Sequence, residues 1–324
     1  MRRALLFAFL TMAACLLTSF NAQAYDRPDG KPAIVLAAFG TTDVEALASF
    51  TNILSHVEKA FPNYETRIAF TSNIIRNIWK KRAEDKEFKK ANPNIDKRFY
   101  EIGNVFTELA QIQERGADVV LVQSLHVTDG EEYEDVKNLV DAIKGVKTFQ
   151  PSLAPLPWIG VGAPALGVGD GPPAEIAAAT KALAGIANEA KAQGAALVLM
   201  GHGNEHKTQK VFEKLQKSLR AAYYPQIYIG TVEAEPKIEA IVAELAKEKT
   251  KPKKVILAPF MVVAGDHAKN DMAGDEADSW SSVLKAAGYE VDSRLTGLGL
   301  NNDWANLYVN HLKALEPKVV ALKK

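Results

Sequence analysis

Cysteine is nearly absent from this 324-residue chain. Its one thiol, Cys15, lies in a short leading segment, so the remainder can form no disulfide and offer no thiolate. Any metal held beyond that segment must be bound by His, Asp or Glu. An excess of charge is missing as well, with 39 Lys and Arg against 39 Asp and Glu. Setting aside Arg2 and Arg3 with the acid-free leading segment leaves 37 basic side chains against 39 acidic ones. That balance gives no global argument for nucleic acid or an anionic membrane as partner. Several catalytic signatures are lacking too. No Gly-x-Ser-x-Gly elbow, Walker A loop or Gly-x-Gly-x-x-Gly turn follows any apolar run. Nor does an arginine stand beside His202, as a histidine phosphatase would require, because Met200 and Gly201 precede it.

Long hydrophobic runs occur once, from Ala4 to about Phe20, behind Arg2 and Arg3 and ahead of Ala22-Gln-Ala24. This is the pattern of a cleaved export signal over residues 1–24, with the mature chain starting at Tyr25 in the periplasm. A membrane anchor fits less well, since Thr11, Thr18 and Asn21 interrupt the short run. A lipoprotein signal ending at Cys15 is also the weaker reading, because Met12-Ala-Ala14 is a poor match before the cysteine. No stable membrane insertion is expected once the signal is gone.

What is present is an ordinary globular composition, 47% hydrophobic and 24% charged, enough for one large or two medium domains. Apolar runs of strand length fall at residues 33–38, 66–70, 118–122, 158–161, 196–200, 227–232, 255–263 and 290–294. Helical patterns separate them, at 44–60, 73–82, 105–113, up to about 144, 172–193, 208–223, 236–247, 279–287 and 303–315. Such alternation calls for an α/β fold with mostly parallel sheets flanked by helices. Residues 149–171, rich in Pro and Gly, mark the boundary between an N-terminal domain, 25–155, and a C-terminal domain, 156–324. Residues 80–98 are dense in Lys, Glu and Asp and read as a solvated face and loop rather than an anion site.

The halves repeat each other. The run from Ile34 through Phe39-Gly40 lies on Leu197 through His202-Gly203, and Val119 through Gly130-Glu-Glu132 lies on Val255 through Gly265-Asp-His267. Two similar domains facing each other would enclose a cleft. In this register Phe39 takes the place of His202 and Glu132 that of His267, so the metal-capable residues belong to the second half.

His202, Glu233 and His267 each follow an apolar strand and should project at one sheet edge, a sufficient set of ligands for a divalent cation with open positions. His206 sits four residues after His202 and reads as loop exposure. His126 ends a strand of the first half and faces the cleft, whereas His56 and His311 lie within amphipathic helices as surface or packing residues. Glu131, Glu132 and Glu134 suit a first helical turn through the dipole and could also draw a cation towards the cleft.

At these residues the sequence resembles the class II tetrapyrrole chelatases, most closely the anaerobic sirohydrochlorin cobaltochelatases. The matches run in order through Leu36-Ala-Ala-Phe-Gly-Thr-Thr42, Ala69-Phe-Thr-Ser-Asn-Ile-Ile-Arg76, Gly130-Glu-Glu-Tyr133, Met200-Gly-His-Gly203, Gly230-Thr-Val-Glu233, Gly265-Asp-His267 and Gly297-Leu-Gly299. The resemblance implies two similar α/β domains, a tetrapyrrole in the cleft, and Co2+ inserted without ATP, with Fe2+ as the alternative metal. It implies that His202, Glu233 and His267 bind the metal and that His202 and His267 carry the catalysis. Phe39, His126 and Glu132 are then the substrate-binding residues of the opposite wall, with Leu125 and Met261 near the ring faces. The partner is a tetrapyrrole, and a homo-oligomer is allowed. The export signal and the charged stretch over 80–98 are the departures, and the signal admits a second reading, an exported haem or metal carrier with His126 as axial ligand. A metal-dependent hydrolase is a third.

Overall fold

The computed structural model describes residues 30–150, 156–203 and 208–322. The export signal and His206 lie outside these residues. In the first half β1 (Ala33–Ala38), β2 (Glu65–Phe70), β3 (Val119–Ser124) and β4 (Trp158–Gly162) form a parallel sheet in the order β2-β1-β3-β4. In the second half β5 (Ala196–Gly201), β6 (Ile227–Thr231), β7 (Lys254–Pro259) and β8 (Glu290–Ser293) form another, in the order β6-β5-β7-β8. The two orders are the same once each strand is matched to its counterpart four places on. This is the expected α/β architecture, and the internal repeat is topological.

The helices follow from the polar punctuation between strands. They are α1 (Leu47–Ala60), α2 (Asn73–Glu84), α3 (Lys86–Ala91), α4 (Val105–Glu114) and α5 (Glu131–Lys144) in the first half. The second half holds α6 (Pro173–Ala182), α7 (Ala184–Ala192), α8 (Thr208–Ala222), α9 (Ile238–Lys247), α10 (Trp280–Ala286) and α11 (Asn302–Leu322). Ser72, Asn104 and Ser279 cap α2, α4 and α10 through side-chain oxygens that accept the first free amides. β1, β3 and β5 are buried along their whole length, which is why each reads as an unbroken apolar run.

Three sequence expectations are corrected. The domain boundary at 155/156 falls before β4, yet β4 pairs with β3 and so belongs to the first sheet. The C-terminal helix α11 also returns to the first half, packing against α1, β3 and β4. There His311 is a packing residue: one ring nitrogen meets the Ala163 carbonyl at 2.9 Å and the other the Glu175 carboxylate at 3.0 Å. The single helix over 172–193 is two, broken at Leu183 beside Gly185. The strand over 255–263 stops at Pro259, which has no amide to offer the β8 side, although the Phe260 amide still donates to the Met200 carbonyl at 2.6 Å.

One apolar core runs between the two halves, joining Ile34, Phe50 and Phe70 of the first to Leu197, Phe260 and Trp304 of the second. The charged stretch over 80–98 is anchored to it rather than free. Trp79 is fully buried, and the Arg82 guanidinium lies 4.7 Å from the Trp79 ring centroid and 4.8 Å from that of Phe88. Trp79 Nε1 donates to the Thr41 carbonyl at 2.8 Å and Arg82 to that of Thr42 at 2.6 Å, which pins the turn after β1.

Candidate metal centre

His202 is the first residue beyond β5 and Glu233 the second beyond β6. The ladder continues past the strands: the Glu233 amide donates to the His202 carbonyl at 2.9 Å, as Val232 does to Gly201 at 3.0 Å. His267 stands eight residues beyond β7, at the head of a π-helical turn over Ala268–Met272. Ligand atoms of His202, Glu233 and His267 all lie within 4.8 Å of one another, with the two His rings in edge contact at 4.9 Å. Three ligands at about 2.1 Å from a cation would stand about 3.5 Å apart, so small side-chain rotations suffice to close on an ion.

The hydrogen bonds leave the right atoms free. His202 Nδ1 meets the Gly203 carbonyl at 2.9 Å and His267 Nδ1 meets the Asp271 carboxylate at 2.5 Å. Both partners are acceptors, so each Nδ1 carries the proton and each Nε2 presents a lone pair. His202 and Glu233 are exposed and His267 is half-buried, so a hydrated cation can reach them. Gly203 is required here: its φ is +85°, and a Cβ would lie 2.7 Å from Thr231 Cβ.

The first half repeats this construction without the ligands. Phe39 is the first residue beyond β1, Ser72 the second beyond β2 and Glu132 the eighth beyond β3. The Ser72 amide even donates to the Phe39 carbonyl, at 3.2 Å, as Glu233 does to His202. The sequence register of Phe39 on His202 and Glu132 on His267 therefore matches the strand ends. Ser72, the counterpart of Glu233, escaped the sequence reading because its hydroxyl is spent on capping α2.

The two walls meet at one corner. A Cβ on Gly265 would lie 3.2 Å from Thr41 Oγ1, and Lys269 pairs with Asp43 and, at 3.1 Å, with Glu45. Burial alone would raise the Asp43 carboxyl, but the hydrogen bond and charge of Lys269 with the Ala46 and Glu45 amides outweigh it and hold it below its ordinary value. On the opposite wall Phe39 is 52% exposed, a free apolar surface, and Glu132 is half-buried. Leu125 is buried in the core and Met261 half-buried against the second-half core. His126 holds Ser124 Oγ at 2.7 Å through Nδ1, while its Nε2 is covered by protein and has no hydrogen-bond partner. Burial pushes this imidazole down to about 4, against the pull of Glu132, so it is neutral at pH 7.

A sequence model of the family described as "Cobalt chelatase (CbiK)" matches residues 32–316. The chain belongs to the CbiK cobalt chelatase family. Curated relatives of the chain include a sirohydrochlorin cobaltochelatase, CbiKC, of Nitratidesulfovibrio vulgaris, 30% identical over 288 residues, which are 89% of this chain and 91% of that one. Another is the sirohydrochlorin cobaltochelatase of Salmonella typhimurium, 29% identical over 285 residues, 87% of this chain and 95% of that one. Among solved structures, SirB from Bacillus subtilis with Fe3+ aligns with a TM-score of 0.55 at 13% identity, covering 87% of this chain and 94% of SirB. At that identity the likeness carries the chelatase fold alone. The CbiK family thus accounts for the two parallel sheets, and the paired strand ends supply one metal-capable wall and one on which Phe39 stands in the place of His202.

Proposed function

We propose that the protein inserts Co2+ into sirohydrochlorin or a closely related tetrapyrrole without ATP, using His202, Glu233 and His267 to carry the incoming ion. The observation that carries this reading is the convergence of two imidazoles and a carboxylate, with ligand atoms within 4.8 Å of one another, at the carboxyl edge of the second sheet. Family membership supports the reaction, because the curated relatives are named sirohydrochlorin cobaltochelatases.

Metallation must strip water from the cation and two protons from pyrrole nitrogens. Two neutral imidazoles and a carboxylate suit Co2+, or Fe2+ as the alternative, and yield it more readily than thiolates would. As the ion passes to the macrocycle, an imidazole Nε2 and the Glu233 carboxylate are released beside the ring and serve as acceptors for the two pyrrole protons. Phe39, exposed on the facing wall, offers an apolar surface for the macrocycle. His126 enters as a neutral wall residue, and its covered Nε2 favours insertion over the reading in which it ligates haem iron. Glu132 stands where His267 stands in the other half and attracts the cation towards the cleft.

The segment 1–24 supports export to the periplasm, which amino-terminal sequencing of the protein from the periplasmic fraction would test. Among the described residues no helix is long and apolar enough to cross a membrane. The function itself is tested by anaerobic incubation with sirohydrochlorin and Co2+, followed by absorbance. Insertion by the wild type, and its loss in folded His202→Ala and His267→Ala proteins, is the expected result. Full activity in both variants would sink the assignment, and stoichiometric haem binding without any metallation would favour a carrier.

A further inference from the structure

The turn that follows His267 is built as a unit. Lys269 and Ala273 donate their amides to Gly265 and Ala268, at 3.0 and 3.2 Å, and Ala268 and Met272 are fully buried in the second-half core. Its polar side chains divide their work. Asp266 accepts from Asn270 Nδ2 at 2.8 Å, and Lys269 reaches across the cleft to Asp43 and Glu45. Asp271 is left with one described polar contact, its Oδ2 on His267 Nδ1 at 2.5 Å.

We propose that Asp271 is a positioning residue for metal delivery: it holds the His267 ring in the tautomer and orientation that aim Nε2 at the ion. The proposal rests on the metal-delivery reading above. Asp271 touches neither ion nor macrocycle in this role and acts through the imidazole alone. Its backbone is held by the buried Ala268 and Met272 on either side, and from there its half-exposed carboxylate reaches His267 Nδ1. The carboxylate can only accept, which forces the proton onto Nδ1 and removes the competing tautomer whose Nε2 is protonated and cannot ligate. His202 has no such partner, because its Nδ1 meets the neutral carbonyl of Gly203. The two imidazoles are therefore unequal ligands. The one backed by a carboxylate is the stronger electron donor, and it holds the ion more tightly than the one backed by a peptide group.

The test is titration of the purified protein with Co2+ alone, read by calorimetry and by the visible absorption bands of bound Co2+, for wild type, Asp271→Ala, Asp271→Asn and His202→Ala. Loss of the partner in Asp271→Ala should weaken Co2+ binding about 10- to 100-fold, the usual effect of removing such a support, with thermal stability unchanged. Asparagine keeps an acceptor oxygen for the Nδ1 proton but not the charge, so Asp271→Asn should bind Co2+ with an affinity between those of Asp271→Ala and wild type and should keep the wild-type absorption bands. Wild-type affinity in Asp271→Ala overturns the proposal, and so does an asparagine variant as weak as alanine, which would leave only a charge effect. His202→Ala keeps the two readings apart. If it binds Co2+ as well as wild type does, the ligand set itself is wrong, whatever Asp271 does.

Discussion

The main-chain amide of Glu233 donates to the carbonyl of His202 at 2.9 Å, so two of the three ligands are joined by one rung of backbone hydrogen bonding beyond the ends of β5 and β6. The spacing of their backbones is set by the sheet, which is buried along β5 and β6. The weak point is Gly203, which turns the chain away with a φ of +85° against Thr231. Thr231 cannot retreat, because its hydroxyl donates to the Ala234 carbonyl at 2.6 Å and its amide to that of Pro236 at 2.9 Å.

Gly203→Ala should therefore cost roughly 1–3 kcal/mol in stability, from the positive φ and the overlap together, and shift His202 out of register. Chemical denaturation with Co2+ titration checks both effects. A variant with wild-type stability and wild-type Co2+ affinity would show that the loop yields freely.

The His126 imidazole, its Nε2 covered by protein, makes stability depend on pH in a defined window. In the unfolded chain it titrates near 6.5, but burial holds it to about 4 in the folded protein. Between those values the unfolded chain binds a proton that the folded protein refuses. Stability from this site is therefore complete above pH 6.5, falls as the pH drops towards 4, and levels off below that. The whole span corresponds to roughly 3 kcal/mol. His126→Gln should flatten that part of the curve, and denaturant midpoints measured between pH 4 and 7 for both proteins give the comparison.

The repeat and the grouping of His202, Glu233 and His267 were legible because each lies at a strand end or in the loop that follows one, and strand ends are marked in sequence by an apolar run giving way to Gly and polar residues. Phe39 against His202 and Glu132 against His267 could be aligned that way without any contact being known. The allegiance of β4 was not legible, since 158–162 is an apolar run that fits either sheet equally well, and only pairing to β3 decides it. The return of α11 to the first half, the reach of Lys269 to Asp43 and the covered Nε2 of His126 are likewise facts of tertiary packing. Asp271 left a faint signal, the four-residue spacing from His267. Without knowledge that a helical turn begins at His267, that spacing carried no weight.

Trp79 links the core to the apolar wall. Its indole N–H donates to the Thr41 carbonyl at 2.8 Å, and its ring is fully buried among Phe88, Phe99 and Tyr100. Trp79→Phe keeps an aromatic ring but orphans that carbonyl and leaves a void, at a cost of roughly 1–3 kcal/mol. The turn carrying Phe39 should loosen, so KM for the tetrapyrrole rises while Co2+ affinity at the triad stays put. Steady-state insertion assays at varied tetrapyrrole, paired with Co2+ titration, separate the two. An unchanged KM would mean that the turn is held by Arg82 alone.

Lys269 ties the metal-bearing turn to the opposite wall through Asp43 and Glu45. Its side chain and that of Glu45 are more than a third exposed, so screening by solvent limits the pair to about 1 kcal/mol or less of stability. The larger consequence is geometric, because the pair joins the turn after β1 to the turn that carries His267. Lys269→Glu places three acids at that corner and should open the cleft, raising KM for the tetrapyrrole by about fivefold, the equivalent of about 1 kcal/mol. Adding Asp43→Lys to that variant restores an opposite-charge pair with reversed polarity and should return most of the lost affinity. Molar salt should blur the difference between wild type and the single variant, since exposed charges are screened within a few ångströms at that ionic strength. Steady-state insertion assays at low and high salt on the three proteins decide the matter. A Lys269→Glu enzyme with unaltered KM at low salt would show that the shared apolar core alone sets the width of the cleft.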